Sequence, residues 1–170
     1  MDLKKHIRNI PNFPIEGILF RDITPLLATP AAYESALNQM ADYLKIMKPD
    51  AIVAIESRGF MFACPIAIKM GLPFVPVRKP GKLPAKTVNV EYSLEYGSGK
   101  LEMHSDAVEQ GMRVAVVDDL LATGGTAKAA GDLIKLCGAE VCSYSFLIEL
   151  TPLRGRELLK GAEIQAILSY

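Results

Sequence analysis

The sequence predicts an α/β fold, a parallel twisted sheet flanked by helices, and three observations carry that expectation. Short apolar runs rich in β-branched residues recur at Ala51–Ile55, Phe74–Val77 and Arg113–Val117. Segments of helical periodicity follow them, so strands and helices alternate. The length of 170 residues, with 50% hydrophobic and 22% charged side chains, suits a single domain with a sizeable core.

Residues 1–48 read as a capping region that ends in the first long helix. Asp2–Arg8 predicts a short helix, and Pro11, Pro14 and Gly17 predict a turn-rich loop. Over Ala31–Met47, the residues Tyr33, Leu37, Met40, Leu44 and Met47 recur at helical spacing, and Pro49 closes the helix. Ala51–Ile55 then suits a strand buried on both faces. A polar turn, Glu56-Ser57-Arg58-Gly59, leads into a helix over Phe60–Met70 that Gly71 ends. Phe74–Val77 is a second strand, whose register or edge position Pro76 leaves open. Further on, Arg113–Val117 predicts a strand, Thr126–Cys137 a helix and Glu140–Ile148 a strand, with right-handed crossovers. Between the two units, 79–103 contains Pro80, Gly81, Pro84, Gly97 and Gly99 among polar residues. A segment of that kind is more often a functional lid or an extended hairpin than a packed element.

Charge excludes some functions. Nineteen basic and 19 acidic residues cancel, which argues against a broad basic surface for nucleic acid or membrane, though a local positive cluster stays open. No apolar run approaches the roughly 20 residues that cross a bilayer, and the N-terminal stretch lacks a signal peptide's apolar core. The expected address is cytoplasmic. Cys64, Cys137 and Cys142 have no CxxC spacing and read as packed free thiols, while His6 and His104 do not form a helical metal-ligand pair.

The sharpest local signal is Val116-Val117-Asp118-Asp119-Leu120-Leu121-Ala122-Thr123-Gly124-Gly125-Thr126. A buried strand runs into two carboxylates, and a turn of small residues then opens a helix. Gly124 and Gly125 let backbone N–H groups approach an anion, Thr123 and Thr126 add hydroxyls, and the helix N-terminus favours negative charge. This is a phosphate cradle without a Walker lysine. Adjacent acids would repel a phosphate unless they serve another part of the ligand; ribose hydroxyls suit them, and magnesium would neutralise nearby charge. A loop that merely caps the helix is the competing reading.

Glu56-Ser57-Arg58-Gly59 occupies the same kind of strand-to-helix junction. There Ser57 and the planar fork of Arg58 could grip a diphosphate. By itself this tetrapeptide is equally a surface turn. Arg78-Lys79-Pro80-Gly81-Lys82 is a third cationic group, compatible alone with a solvated loop or a diphosphate contact.

The Asp118–Thr126 stretch resembles the phosphoribosyl-diphosphate signature of type I phosphoribosyltransferases. Four more blocks follow the order seen in the adenine branch of that family: Phe20-Arg21-Asp22-Ile23-Thr24-Pro25, Glu56-Ser57-Arg58-Gly59-Phe60, Arg78-Lys79-Pro80-Gly81-Lys82-Leu83-Pro84 and Tyr92-Ser93-Leu94-Glu95-Tyr96-Gly97. They span most of the chain, with Pro80 where some relatives have arginine. The resemblance implies the type I fold with an N-terminal hood and a flexible lid. It also implies magnesium-dependent transfer of phosphoribosyl from 5-phosphoribosyl-1-diphosphate to N9 of adenine, giving AMP and diphosphate, by a cytoplasmic homodimer of purine salvage that binds neither nucleic acid nor membrane.

Residue by residue, the resemblance implies that Ser57, Arg58, Arg78, Lys79 and Lys82 meet the diphosphate, with Arg58 stabilising the leaving group. Asp118 and Asp119 would hold the ribose, and Ala122, Thr123, Gly124, Gly125 and Thr126 the 5-phosphate. Leu19, Phe20 and Arg21 would flank adenine, mainly through backbone groups, with Leu120 as an apolar face. Tyr96 and Glu95 would belong to the lid, Glu95 assisting proton movement on the purine; otherwise Glu95 is an exposed loop charge. Magnesium would be held mainly by substrate and water. In 6-oxopurine enzymes a lysine near the end of the strand after the phosphate helix donates to the oxo group, whereas the comparable stretch here, Phe146-Leu147-Ile148-Glu149-Leu150, offers an acid and no lysine. The alternatives are transfer to another purine such as xanthine or hypoxanthine, and a phosphoribosyl-diphosphate-sensing regulator, for whose DNA-binding domain the sequence before Ala51 is too short.

Overall fold

A computed structural model describes residues 1–93 and 98–170, which form two compact units, Met1–Gln39 and Met40–Tyr170. In the first unit the predicted helix over Asp2–Arg8 is only a 3-10 turn, Leu3–His6, because Arg8 already begins a strand. Strands β1 (Arg8–Pro11) and β2 (Leu19–Asp22) pair antiparallel, with Asn9 opposite Arg21 and Ile10 opposite Phe20. The turn-rich loop is thus the tip of a hairpin, where the Gly17 N–H donates to Asn12 Oδ1 at 2.9 Å and Phe13 meets Phe20 edge to face at 5.0 Å. Asp22 accepts from the Thr24 N–H and hydroxyl at 2.9 and 2.8 Å and pairs with Arg8, fixing the hairpin to helix α1 (Thr24–Leu27). Helix α2 (Pro30–Met47) carries the chain onward.

In the second unit, Met40, Ala41 and Leu44 of α2 are fully buried. Strand β3 (Ala51–Ile55) is buried at every residue, as its unbroken apolar run requires. Helix α3 (Arg58–Met70) starts two residues before the predicted one and ends at Gly71 with φ +67°, a left-handed cap that glycine adopts at little cost. Strand β4 (Phe74–Val77) pairs parallel with β3. The Ile52 and Glu56 N–H groups donate to the carbonyls of Pro73 and Val77, so Pro76 faces away from β3, and β4 is an edge strand where a missing N–H is tolerated.

The described part of 79–103 contains an antiparallel hairpin, β5 (Thr87–Ser93) and β6 (Ser98–His104). Leu101 and Met103 are buried in the core, with Val88 and Val90 packed against it. Strand β7 (Arg113–Leu121) runs four residues beyond its predicted end, helix α4 (Gly125–Leu136) follows, and β8 (Glu140–Glu149) pairs parallel with β7. After 3-10 turns at Thr151–Leu153 and Gly155–Leu158, β9 (Glu163–Ser169) adds a strand absent from the sequence-based reading.

The five-stranded sheet has the order β4-β3-β7-β8-β9 and all its pairs are parallel. From β3 the chain steps through α3 to β4; from β7 it steps through α4 to β8, the opposite way. Neighbouring strands whose connections diverge leave a crevice beyond their carboxyl ends. That crevice lies between β3 and β7.

Candidate active site

Both phosphate-like motifs open into this crevice. Its cavity, about 270 Å³, is lined by Glu56, Ser57 and Arg58 after β3, by Asp118–Leu121 on β7, and by Ala122–Ala127 after it. The convergence follows from the pairing of Ala54 with Val117, which sets the end of β3 beside the point where Asp118 begins the last four residues of β7. Extension of β7 to Leu121 means that Asp118, Asp119 and Leu120 are strand residues, with alternating orientations fixed by pairing to β8.

The turn after β7 has the geometry of an anion cradle. Gly124 sits at φ +85° immediately before α4, and no side chain caps the helix, so its first amides remain donors for a ligand. Thr123 is exposed, and Thr126 is partly so. After β3, the Glu56–Ser57 peptide is cis and α3 begins directly at Arg58.

Two cation–carboxylate pairs lie at this end of the sheet, and the first crosses the crevice. Arg58 Nε lies 2.8 Å from Asp119 Oδ2, and Asp119 is 4% exposed. That oxygen is buried, and the Arg58 guanidinium is its charge partner. Asp118 Oδ1 accepts from the Asp119 N–H at 2.9 Å. Burial and the adjacent Asp119 push the Asp118 carboxyl well above the ordinary carboxylate range, although the Arg58 charge works against them. Gly59 permits this packing: a Cβ there would lie 2.8 Å from Asp118 Oδ1 and 3.1 Å from the Val117 carbonyl.

The second pair draws the basic loop to the same edge. Glu56 Oε2 accepts from Arg78 Nη2 at 3.0 Å and Nε at 3.2 Å, Oε1 accepts from the Lys79 N–H at 2.6 Å, and Arg78 Nη1 donates to the Lys82 carbonyl at 3.2 Å. Burial alone would raise the Glu56 pKa, but these donors and the positive charges of Arg78 and Lys82 hold it below the usual range. Lys79 and Lys82 are exposed.

Comparison with known proteins agrees with this geometry. Residues 24–151 match the model of the phosphoribosyl transferase domain. An adenine phosphoribosyltransferase of Methanococcus maripaludis is 52% identical over 170 residues, covering 100% of this chain and 99% of the relative. The chain belongs to the adenine phosphoribosyltransferase family. The crystal structure of the family member from Thermoanaerobacter pseudethanolicus has a TM-score of 0.97 at 50% identity, covering 99% of this chain and 98% of that one. The Saccharomyces cerevisiae member, crystallised with adenine and an imino-altritol bisphosphate, has a TM-score of 0.91 at 40% identity, covering 98% and 96%.

Within this adenine phosphoribosyltransferase framework, Ser57, Arg58, Asp118, Asp119, Leu120 and Ala122–Thr126 line one cavity, and Glu56 ties Arg78 and Lys79 to its edge. Leu19, Phe20 and Arg21 lie on β2 of the other compact unit, where Arg21 Nη1 donates to Asn9 Oδ1. Glu95 and Tyr96 lie outside the described residues. Among the described residues, no three His, Cys, Asp or Glu side chains cluster as a metal site. A donor set of two adjacent carboxylates before a phosphate cradle fits magnesium that arrives on a diphosphate and keeps waters. Glu149 is 5% exposed and accepts from Arg156 Nε at 2.7 and 2.8 Å.

Sequence reasoning gave no role to Glu56, Gly59 or Gly155. Glu56 and Gly59 belong to a recognised motif and were within its reach. Gly155 had no local signal, because only tertiary contact brings it to the phosphate turn.

Proposed function

We infer that the chain transfers the 5-phosphoribosyl group from 5-phosphoribosyl-1-diphosphate to N9 of adenine, giving AMP and diphosphate, as a pentosyltransferase of purine salvage. The observation that carries this reading is the meeting of a phosphate cradle and an arginine-bearing loop across the Arg58–Asp119 pair in one cavity. Adenine and a bisphosphorylated sugar analogue on the yeast relative support the substrate class.

In the reaction the C1–O bond to diphosphate breaks and a C1–N9 bond forms, with oxocarbenium character on the ribose. The cradle Ala122, Thr123, Gly124, Gly125 and Thr126 takes the 5-phosphate. Asp118 and Asp119 take the ribose hydroxyls and place negative charge near the cationic sugar. Ser57, Arg58, Arg78, Lys79 and Lys82 receive the departing diphosphate, with Arg58 the principal group. Magnesium, held mainly by diphosphate and water, supplies further charge neutralisation when bound. Leu19, Phe20 and Arg21 present backbone groups to adenine, where a carbonyl accepts from the 6-amino group, and Leu120 offers an apolar face. Tyr96 contributes to substrate binding, and Glu95 assists the proton movement on the purine as N9 loses its hydrogen. The enzyme works as a cytoplasmic homodimer; among the described residues no helix is long and apolar enough to cross a membrane.

The decisive experiment is a substrate panel with magnesium and phosphoribosyl diphosphate. Adenine should react much faster than hypoxanthine, guanine or xanthine. Equal or better turnover of a 6-oxopurine overturns the assignment.

A further inference from the structure

The phosphate turn does not stand alone; it leans on a backbone segment far along the chain. A Cβ on Gly124 would lie 2.4 Å from the Gly155 carbonyl oxygen and 3.2 Å from Gly155 Cα. Conversely, a Cβ on Gly155 would lie 2.3 Å from the Ala122 carbonyl oxygen, 2.9 Å from Leu121 Cδ1 and 3.1 Å from the Gly124 nitrogen. Two glycine backbones therefore pack directly against each other, a contact that no other residue type permits at either position. Gly155 is buried although it sits in a surface 3-10 turn.

The neighbouring groups fix that turn in place. Arg156 Nε donates to both oxygens of the buried Glu149 carboxylate at 2.7 and 2.8 Å, and Arg156 Nη1 donates to the Ile164 carbonyl at 3.0 Å. Glu149 ends β8 directly opposite Leu121, the last strand residue before the phosphate turn. The Leu150 N–H donates to the Leu121 carbonyl at 2.9 Å, and the Thr151 N–H to the Tyr170 carbonyl at 2.9 Å. On the far side, Leu159 is buried in the core. The segment is thus tied to β7, β9 and the core, with Gly155 pressed against the back of the cradle.

We propose that Gly155, held by the Glu149–Arg156 pair, is a buttress that sets the phosphate turn for the substrate's 5-phosphate. Gly155 and Arg156 are positioning residues that act through the backbone at Ala122–Gly124. Catalytic anion sites depend on donors already oriented before the ligand arrives, and small displacements of those donors weaken phosphate binding selectively. The proposal rests on the assignment of the 5-phosphate to residues 122–126.

The test compares AMP with adenosine, which lacks only the phosphate, by calorimetry on the full chain, alongside KM for phosphoribosyl diphosphate. Gly155→Ala should weaken AMP about tenfold or more and leave adenosine affinity unchanged. Arg156→Ala should do the same to a smaller extent, with Arg156→Lys recovering part of the loss. If Gly155→Ala does not fold, the two Arg156 variants decide. Unchanged AMP affinity overturns the buttress, and so does an equal loss for AMP and adenosine, which would mark a purely structural defect. Thr126→Val separates the two readings. If it weakens AMP while the Gly155 and Arg156 variants do not, the buttress fails and the phosphate assignment stands. If it too leaves AMP affinity unchanged, the phosphate assignment itself fails.

Discussion

Glu56 grips Arg78 through Oε2 at 3.0 Å and the next residue's amide through Oε1 at 2.6 Å, so one carboxylate sets both the side chain and the backbone of the basic loop. It organises cations that the proposed chemistry directs at the diphosphate. Removing its charge frees those groups before substrate arrives. Glu56→Gln should raise KM for phosphoribosyl diphosphate by about tenfold, roughly the worth of one charge-assisted hydrogen bond, with a smaller effect on KM for adenine. Steady-state kinetics with each substrate varied checks this.

The same carboxylate predicts an acid response. Its pKa is lowered on folding, so its stabilisation is complete above the unfolded value and is lost as pH falls through the folded one. Thermal melting of the wild type should therefore fall more steeply than that of Glu56→Gln below about pH 4.3, the ordinary glutamate value. Parallel melting curves would count against the pairing.

Asp118 has the opposite sign. Folding raises its pKa, so the native state loses stability as pH climbs from the unfolded value through the folded one. Asp118→Asn should melt higher than the wild type at neutral pH in the absence of ligand, with the gain disappearing near pH 4, about the ordinary aspartate value. It should also lower kcat/KM for phosphoribosyl diphosphate, because an amide is a poorer acceptor for a ribose hydroxyl. A variant neither more stable at neutral pH nor less active rules out both roles.

Arg58, to which the proposed chemistry assigns the departing diphosphate, pairs with Asp119 at 2.8 Å. Arg58→Ala should reduce kcat by about 10²–10³, the usual cost of removing a group that meets developing negative charge. Lysine at this position should restore only part of the rate, because it supplies a point charge without the planar fork. Wild-type kcat in the alanine variant removes Arg58 from the chemistry.

Gly59 is constrained by its neighbour. A Cβ there would lie 2.8 Å from Asp118 Oδ1 and 3.1 Å from the Val117 carbonyl, so the Asp118 carboxylate or the start of α3 must shift. Gly59→Ala should destabilise the protein by about 1–3 kcal/mol, as overpacking does, and lower activity by displacing Arg58 and Asp118 together. Denaturant unfolding and kinetics on one preparation test the coupling.

The sequence made the strands of the sheet's centre legible because burial on both faces leaves unbroken apolar runs, as at Ala51–Ile55. It hid β9, Glu163–Ser169, where a mostly half-buried edge strand has no such run. It stopped β7 at Val117 because the carboxylates Asp118 and Asp119 interrupt the apolar pattern, while pairing with β8 continues beneath them. Proline and glycine signalled a loop at residues 11–17, but the strands beside it are only four residues long, too short for alternation to register. The two phosphate motifs were visible because strand, glycine turn and helix are local. The contacts Gly59–Asp118 and Gly124–Gly155 join distant segments, so no local pattern announces them.

The adjacency of β3 and β7 bears on how the molecule folds. Between them the chain must complete α3, β4 and the β5–β6 hairpin, so their pairing closes a long loop and is slow to form by topology. On the proposed assignment, the 5-phosphate and the diphosphate fall to opposite halves of the crevice. Phosphoribosyl diphosphate should thus recognise only chains in which that long-range pairing has been made, and mass action then shifts the folding equilibrium towards them. Added phosphoribosyl diphosphate should therefore raise the melting temperature of the full chain in a concentration-dependent way.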